Sequence, residues 1–109
     1  MSGVQGPVPE FEYAIEPLPP GRVGFRRWRF ELWRGSWLLA SGWRTSPRDA
    51  ERALCTAASR SAHDALGVRA LRPKTARALG RFIAGAVVRV DCGVTTCVLV
   101  PRGDAAVAA

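Results

Sequence analysis

Apolar and polar residues alternate strictly in the stretch EFEYAIE near the N-terminus. Its apolar residues, Phe11, Tyr13 and Ile15, are separated from one another by glutamate or alanine. Because successive side chains of a strand point to opposite faces, this pattern predicts a strand with one buried face. Three prolines and two glycines between Pro17 and Gly24 then predict an extended loop.

A second alternating stretch, FRRWRFELWRGSWLLASGW, predicts a β-hairpin that turns at Arg34-Gly35-Ser36. A loop with an even number of residues places the apolar positions of both strands on one face, so we expect that face to be the core face. These positions are Trp28, Phe30, Leu32, Trp37, Leu39 and Trp43. If the first strand pairs with this hairpin, its glutamates lie beside arginines on the other face, and cross-strand ion pairs follow. The groups concerned are Glu12 and Glu16 with Arg27 and Arg29.

The stretch TSPRDAERALCTAASRSAHDALG has the pattern of a helix with well-marked ends. Ser46 is a suitable N-cap, and Asp49 completes a capping box with it. Pro47 suits the first helical position, and Gly67 suits a left-handed C-cap. Alanine and leucine recur every three or four residues, which predicts one apolar stripe that can pack closely on a sheet. His63 is expected on the solvated side.

The next segment, VRALRPKTARALGRFIAG, is basic and contains no acidic residue. Its basic residues are Arg69, Arg72, Lys74, Arg77 and Arg81. A short helix that begins at Pro73 and ends at Gly80 would place the last three along one side. Their mutual repulsion costs a few tenths of a kcal/mol per pair unless an anion or a carboxylate neutralises it. We therefore predict an anion-binding surface on this segment.

The final patterned stretch, AVVRVDCGVTTCVLVP, predicts a second hairpin around Cys92-Gly93-Val94 that ends at Pro101. Its strands are apolar on both faces, which is typical of strands covered on two sides. The hairpin therefore either extends the first sheet beneath a cover or meets another chain.

Together these elements predict a single α+β domain over residues 10–101, with flexible tails at 1–9 and 102–109. The expected fold is an antiparallel β-β-β-α core, followed by a short basic helix or arm and a closing β-hairpin. A chain of 109 residues is long enough for one such core. No apolar run is long enough to cross a bilayer and no export signal opens the chain, so a soluble cytoplasmic protein with reduced thiols is expected.

Charge adds a class of partner to this picture. Sixteen Lys and Arg against nine Asp and Glu give a net charge of +7, and every basic residue except Lys74 is arginine. The planar donors of arginine suit phosphates and carboxylates, so DNA, RNA, acidic protein surfaces and anionic lipid are the natural partners. The same arginine usage is also typical of a GC-rich coding sequence, so charge alone does not choose among them.

Candidate catalytic chemistry is sparse. The only histidine, His63, and the three cysteines do not form a nucleophile–base motif, and there is no Gly-rich phosphate loop. Cys92 and Cys97 are a weak zinc half-site, and Cys55 and His63 diverge too far along a helix to complete it. We therefore expect no enzyme, cofactor, metal or small-molecule substrate. A redox role of the thiols is the least improbable catalytic alternative.

The motif WRFELWR is followed by WLLASGWRTSPRDAERALCTAASR, in which a strand ends in Gly-aromatic and an alanine-rich helix follows. In this pattern the stretch from Phe25 to Gly67 resembles the three-stranded-sheet-plus-helix DNA-binding modules of the AP2 and integrase arm-binding type. Those families insert the exposed face of the sheet into the major groove. The resemblance implies that the corresponding nucleic-acid-binding residues here are Arg27, Arg29, Trp33 and Arg44.

Two functions remain open at this point. The first is a small basic module that binds nucleic-acid phosphates through the Arg69–Arg81 segment, together with the sheet-face residues. The second is a protein–protein interaction domain or a homodimeric adaptor. It would use the apolar C-terminal hairpin, or a patch at Trp33 and Leu38, as its contact.

Overall fold

The computed structural model describes residues 8–21, 24–67 and 75–102. These residues form an α+β fold, so the predicted class is confirmed. Its elements are β1 (Glu10–Pro17), β2 (Trp28–Arg34), β3 (Trp37–Arg44), α1 (Pro47–Ala65), β4 (Arg77–Ala78), β5 (Val88–Asp91) and β6 (Thr96–Pro101). The strands make one six-stranded sheet in the order β3-β2-β1-β6-β5-β4. No helix among the described residues is long and apolar enough to cross a membrane.

The sheet is mixed, so the predicted antiparallel core is confirmed only in part. The β1-β2-β3 meander is antiparallel throughout, and β5 and β6 form the predicted closing hairpin. At the centre, however, β1 and β6 run parallel, with Phe11 opposite Leu99. The first and last strands are therefore neighbours in the middle of the sheet.

The predicted core face is right for β2 and wrong for β3. Phe30 and Leu32 of β2 are buried as expected. The register shifts along β3, because Trp33 lies opposite Leu38 whereas Leu32 lies opposite Ala40. Leu39 is thus the extra residue of a β-bulge, and a bulge reverses the faces of all residues that follow it.

The bulge turns Trp43 to the outer face, opposite Arg29, whereas Trp37 precedes the bulge and lies opposite Arg34, on the face of Leu32 but outside the core. Trp37 is 76% exposed, Trp43 46% and Leu39 41%. Gly42 takes the place expected for a tryptophan, opposite Phe30. A Cβ atom at Gly42 would lie only 3.0 Å from Cζ of Phe30, so the Phe30 ring fills the space over this glycine.

The helix begins and ends where predicted. The Ser46 hydroxyl accepts a hydrogen bond of 3.1 Å from the Asp49 N–H, and Gly67 follows the helix with a φ of 69°. The buried stripe of α1 consists of Ala50, Leu54, Cys55, Ala58, Ser59, Ala62 and His63. The prediction that His63 is solvated is wrong, because its Nδ1–H donates to the carbonyl oxygen of Ser59, 2.7 Å away, within this stripe.

Tyr13 ties the connection between β4 and β5 to the centre of the sheet. Its hydroxyl accepts a hydrogen bond of 2.9 Å from the Gly85 N–H and donates one of 2.7 Å to the Ala86 carbonyl oxygen. Phe82 packs edge-on against its ring, with the two centroids 5.6 Å apart. Burial raises the pKa of Tyr13 above its ordinary value, so the hydroxyl keeps its proton and both hydrogen bonds.

The short helix predicted from Pro73 to Gly80 is wrong over the part that the structure describes. Arg77 and Ala78 form strand β4, which pairs with β5 and places Ala78 opposite the buried Val90. The sheet satisfies the backbone groups here, and a local helix would have left Val90 uncovered. Arg69, Arg72 and Lys74 lie outside the described residues.

Candidate anion-binding groove

A groove of about 410 Å³ lies between the first half of α1 and the segment that contains β4. We call it the basic groove. It is lined by Arg48, Glu51, Arg52, Cys55, Thr56, Ala76, Arg77, Ala78, Gly80 and Phe82. Three guanidinium groups and a single carboxylate therefore border it, supplied by two separate elements of the fold.

Helical spacing explains the first wall of the basic groove. Arg48, Glu51, Arg52 and Cys55 are separated by one, three or four residues, so they share one face of α1. Arg48 lies in the first turn, where the helix dipole already carries partial positive charge. A cation placed there adds to the positive potential, so this end of the groove favours a bound anion.

The second wall consists of β4 and the residues that follow it. Ala78 points toward the helix, because it lies opposite the buried Val90. Arg77 is exposed and lies opposite Asp91, which places it at the rim rather than the floor. Phe82, which Tyr13 holds in place, adds an apolar surface to the same wall.

The pKa of Glu51 reflects both burial and the charges around the groove. Burial raises the pKa of this carboxyl above its ordinary value, although the charges of Arg48 and Arg81 act in the opposite direction. Arg81 does not line the groove, but its influence on Glu51 shows that it lies nearby. The groove therefore combines a partly buried carboxylate with an excess of exposed arginines.

Cys55 lies at the buried side of the groove and is 4% exposed. Burial raises the pKa of its thiol to about 11. A thiol that keeps its proton at neutral pH is a poor nucleophile, so Cys55 acts here as an apolar wall.

The structure brings some of the predicted site residues together and separates others. Of the predicted basic segment, Arg77 lines the groove and Arg81 lies near its carboxylate, Glu51. Arg48 and Arg52 also border the groove, although no sequence pattern predicts a binding role for them. Their only signal was the shared helix face, and a solvated helix face has the same pattern.

The predicted sheet-face residues lie elsewhere. Arg29 and Trp33 occupy the face of the sheet opposite the helix, and both bind Glu31. Nη2 of Arg29 lies 2.9 Å from Oε2 of Glu31, and Nε1 of Trp33 donates to Oε1 at 3.0 Å. Burial alone would raise the pKa of Glu31, but the hydrogen bonds from Trp33 and Arg29 hold it below its ordinary value.

The expected cross-strand ion pairs with the arginines of the hairpin are wrong in detail. Glu16 lies opposite Arg29 in register, but Arg29 turns to Glu31 on its own strand. Glu12 instead pairs with Arg102, whose Nη1 lies 2.6 Å from Oε1.

Arg102 also contacts the two residues that flank this ion pair. Its guanidinium carbon lies 3.9 Å from the centre of the Trp33 ring, and Nη1 donates to the Gly35 carbonyl oxygen at 2.7 Å. Trp33 is therefore already stacked by a cation of the same chain.

Arg27 and Arg44 complete the predicted set but do not join Arg29 and Trp33 in one cluster. The guanidinium of Arg27 lies 5.7 Å from the centre of the Trp43 ring. Arg44 lies 5.4 Å from the centre of the Phe30 ring, on the core side of the sheet, and donates to the Trp43 carbonyl oxygen.

The remaining cysteines form a buried pair. The sulfur atoms of Cys92 and Cys97 are 3.5 Å apart, and both thiols are free. The interaction between the two thiols lowers the pKa of Cys92 and, together with burial, raises the pKa of Cys97. Among the described residues, no group of three His, Cys, Asp or Glu side chains is arranged to hold a metal ion.

Comparisons of the chain with protein-family models, with curated proteins and with solved structures found no match. The chemistry of the groove and of the sheet faces is therefore the basis for a functional proposal.

Proposed function

We propose that the protein is a small non-enzymatic module that binds nucleic-acid phosphates in the basic groove. The observation that carries this proposal is the convergence of Arg48 and Arg52 of α1 with Arg77 of β4 around one open groove. Arginine forms bidentate, charge-assisted hydrogen bonds with phosphate oxygens, and several arginines on one surface suit a repeating polyanion.

The ion pairs of the described residues support the same proposal. They engage Arg29 and Arg102, which are both on the other side of the sheet, and no arginine of the groove. The groove arginines are exposed, so a phosphate reaches them without displacing a carboxylate partner. The net charge of +7 adds a long-range attraction to any polyanion.

The test is fluorescence anisotropy of labelled duplex and single-stranded DNA, repeated from about 50 to 200 mM salt. Three engaged phosphates, one for each of Arg48, Arg52 and Arg77, correspond to a slope of log affinity against log salt of about −2.7 on a duplex. Replacement of one contact, Arg52→Ala, is expected to weaken binding to every sequence and to make the slope about one unit shallower.

Arg60→Ala is the matched control, because Arg60 is also exposed on α1 but does not line the groove. Glu51→Gln removes the one carboxylate of the groove and is expected to tighten binding. Equal losses in Arg52→Ala and Arg60→Ala would assign binding to net charge rather than to the groove. No binding at the lowest salt would overturn the proposal.

The same experiment tests the sheet-face residues that the family resemblance implies. If DNA lies against the sheet, Trp33→Ala and Arg29→Ala weaken binding and Arg52→Ala does not. On the groove proposal the order is reversed, since Glu31 already holds both of those side chains.

The closing hairpin offers less to a protein partner than its apolar sequence indicates. β6 is hydrogen-bonded to β1 on one side and to β5 on the other, and β5 also pairs with β4. Among the described strands, the long unpaired edge of the sheet is β3.

A further inference from the structure

β3 is an edge strand of eight residues with an apolar exposed surface. Trp37, Leu38, Leu39 and Trp43 are each at least 41% exposed, and Arg44 is the only charged residue in the strand. Natural edge strands avoid pairing with other chains through charges, prolines, short length or β-bulges. Of these devices, β3 has the bulge at Leu39 and one charge at its end.

The bulge gives β3 an internal symmetry that its sequence does not have. Leu38, Ser41 and Trp43 lie on the outer face, because they are opposite Trp33, Glu31 and Arg29 of β2. Leu39 and Ala40 together occupy one position of the ladder. Positions at equal distances on the two sides of Ser41 therefore lie on the same face of the sheet. One position away, Gly42 corresponds to Leu39–Ala40. Two positions away, Trp43 corresponds to Leu38, and three positions away, Arg44 corresponds to Trp37.

We propose that β3 pairs antiparallel with β3 of a second copy of this chain, about a two-fold axis that passes through Ser41. An antiparallel two-fold pair places residues opposite one another that are equally distant from the axis and on the same face. Leu38 then packs on Trp43 of the second copy. Trp37 meets Arg44 of the second copy, and the reciprocal contacts form on the other side of the axis.

The chemistry of these pairs argues for a second copy rather than another partner. Arg44 already lies over an aromatic ring in the monomer, and a second ring in trans gives a cation–π contact at each end of the interface. The strand therefore pairs its own cationic position with its own aromatic position.

The area is also adequate for a dimer. Trp37 and Trp43 are 76% and 46% exposed, so at about 250 Å² per tryptophan they present roughly 300 Å². This is about half of the 600 Å² per partner that the smallest specific interfaces bury. Leu38 and Leu39, which are 45% and 41% exposed, add to this area.

The test is a disulfide trap on the two-fold axis, made without nucleic acid so that its result is independent of the basic groove. In the Ser41→Cys variant, two copies are oxidised by glutathione disulfide. The two thiols lose two electrons and two protons to form one S–S bond, and the glutathione disulfide becomes two glutathione thiols. Ser36→Cys, in the exposed turn before β3, is the matched control.

We expect Ser41→Cys to run mostly as a disulfide-linked dimer on a non-reducing gel and Ser36→Cys to remain monomeric. Equal cross-linking of both variants, or none in Ser41→Cys, would overturn the proposed pairing. The native cysteines contribute little background because all three are buried.

Sedimentation equilibrium of the unmodified chain is the second measurement. We expect a concentration-dependent rise toward twice the monomer mass of 11.8 kDa. Trp37→Arg places like charges opposite each other at both ends of the interface and is expected to abolish this rise. Addition of Arg44→Glu to that variant is expected to restore it. A monomer at every concentration, or a dimer unaffected by Trp37→Arg, would overturn the proposal, with circular dichroism verifying that each variant is folded.

Discussion

Two large apolar residues of one hairpin are expected to differ sharply in their contribution to stability, because they differ sharply in burial. Leu32 is fully buried at 0% exposure, whereas Trp37 is 76% exposed. Leu32→Ala leaves a cavity in a close-packed core, and a change of this kind costs about 3 kcal/mol or more. The apolar alternation of the sequence alone would assign a similar loss to Trp37.

The structure gives a much smaller value for Trp37→Ala. Only about a quarter of a side chain of roughly 250 Å² is hidden, which is about 60 Å², or about 1.5 kcal/mol at 25 cal/mol per Å². This value is an upper bound, because the unfolded chain also hides part of that surface. We therefore expect a loss of about 1 kcal/mol.

Thermal melts followed by circular dichroism, at low protein concentration so that self-association does not contribute, distinguish the two variants. At about 4 °C per kcal/mol for a domain of this size, Leu32→Ala should lower the Tm by about 12 °C and Trp37→Ala by about 4 °C. Equal losses in the two variants would mean that Trp37 packs in the core.

Two further predictions concern buried titratable groups. Tyr13→Phe leaves the Gly85 N–H and the Ala86 carbonyl without their partner. It should lower the free energy of unfolding by about 1–3 kcal/mol in urea melts and speed hydrogen exchange at the Gly85 amide. An unchanged exchange rate would contradict these hydrogen bonds. Burial raises the pKa of Cys55 from 9.0 to about 11, so between these pH values the folded state retains a proton that the unfolded state loses. The stabilisation is therefore complete below pH 9 and is lost as the pH rises through 11. Cys55→Ala should flatten that fall between pH 9 and 11, and parallel stability curves for the two proteins would show that the thiol ionises equally in both states.

Local patterns predicted most elements correctly, because those elements are determined by neighbours in sequence. The Ser46 and Gly67 signals mark the ends of α1, and the alternation around Phe11 and Tyr13 gives the buried face of β1. The bulge at Leu39 has no such signal. The bulge places Gly42 over the Phe30 ring, and this contact exists only once β2 and β3 are paired in this register.

Long-range pairing explains the other differences. The parallel contact of Phe11 with Leu99 joins residues from opposite ends of the chain, and neither strand indicates its neighbour. The same applies to the basic groove. The sequence distinguishes Arg77 because it lies in a segment without acidic residues. Arg52 has the same pattern as any solvated helix residue, and only the position of β4 beside α1 makes it part of a groove.

The parallel pairing of β1 with β6 also determines when the molecule can finish folding during synthesis. β1 is made first, yet one of its edges stays open until the ribosome has released the last strand, which ends at Pro101. Until β6 is present, the edge of β1 that carries Phe11 and Tyr13 opposite Leu99 and Pro101 has no strand to pair with. The central pairing of the sheet therefore forms only after nearly the whole of the described chain has been made, and an unpaired strand edge is open to pairing with other chains until then.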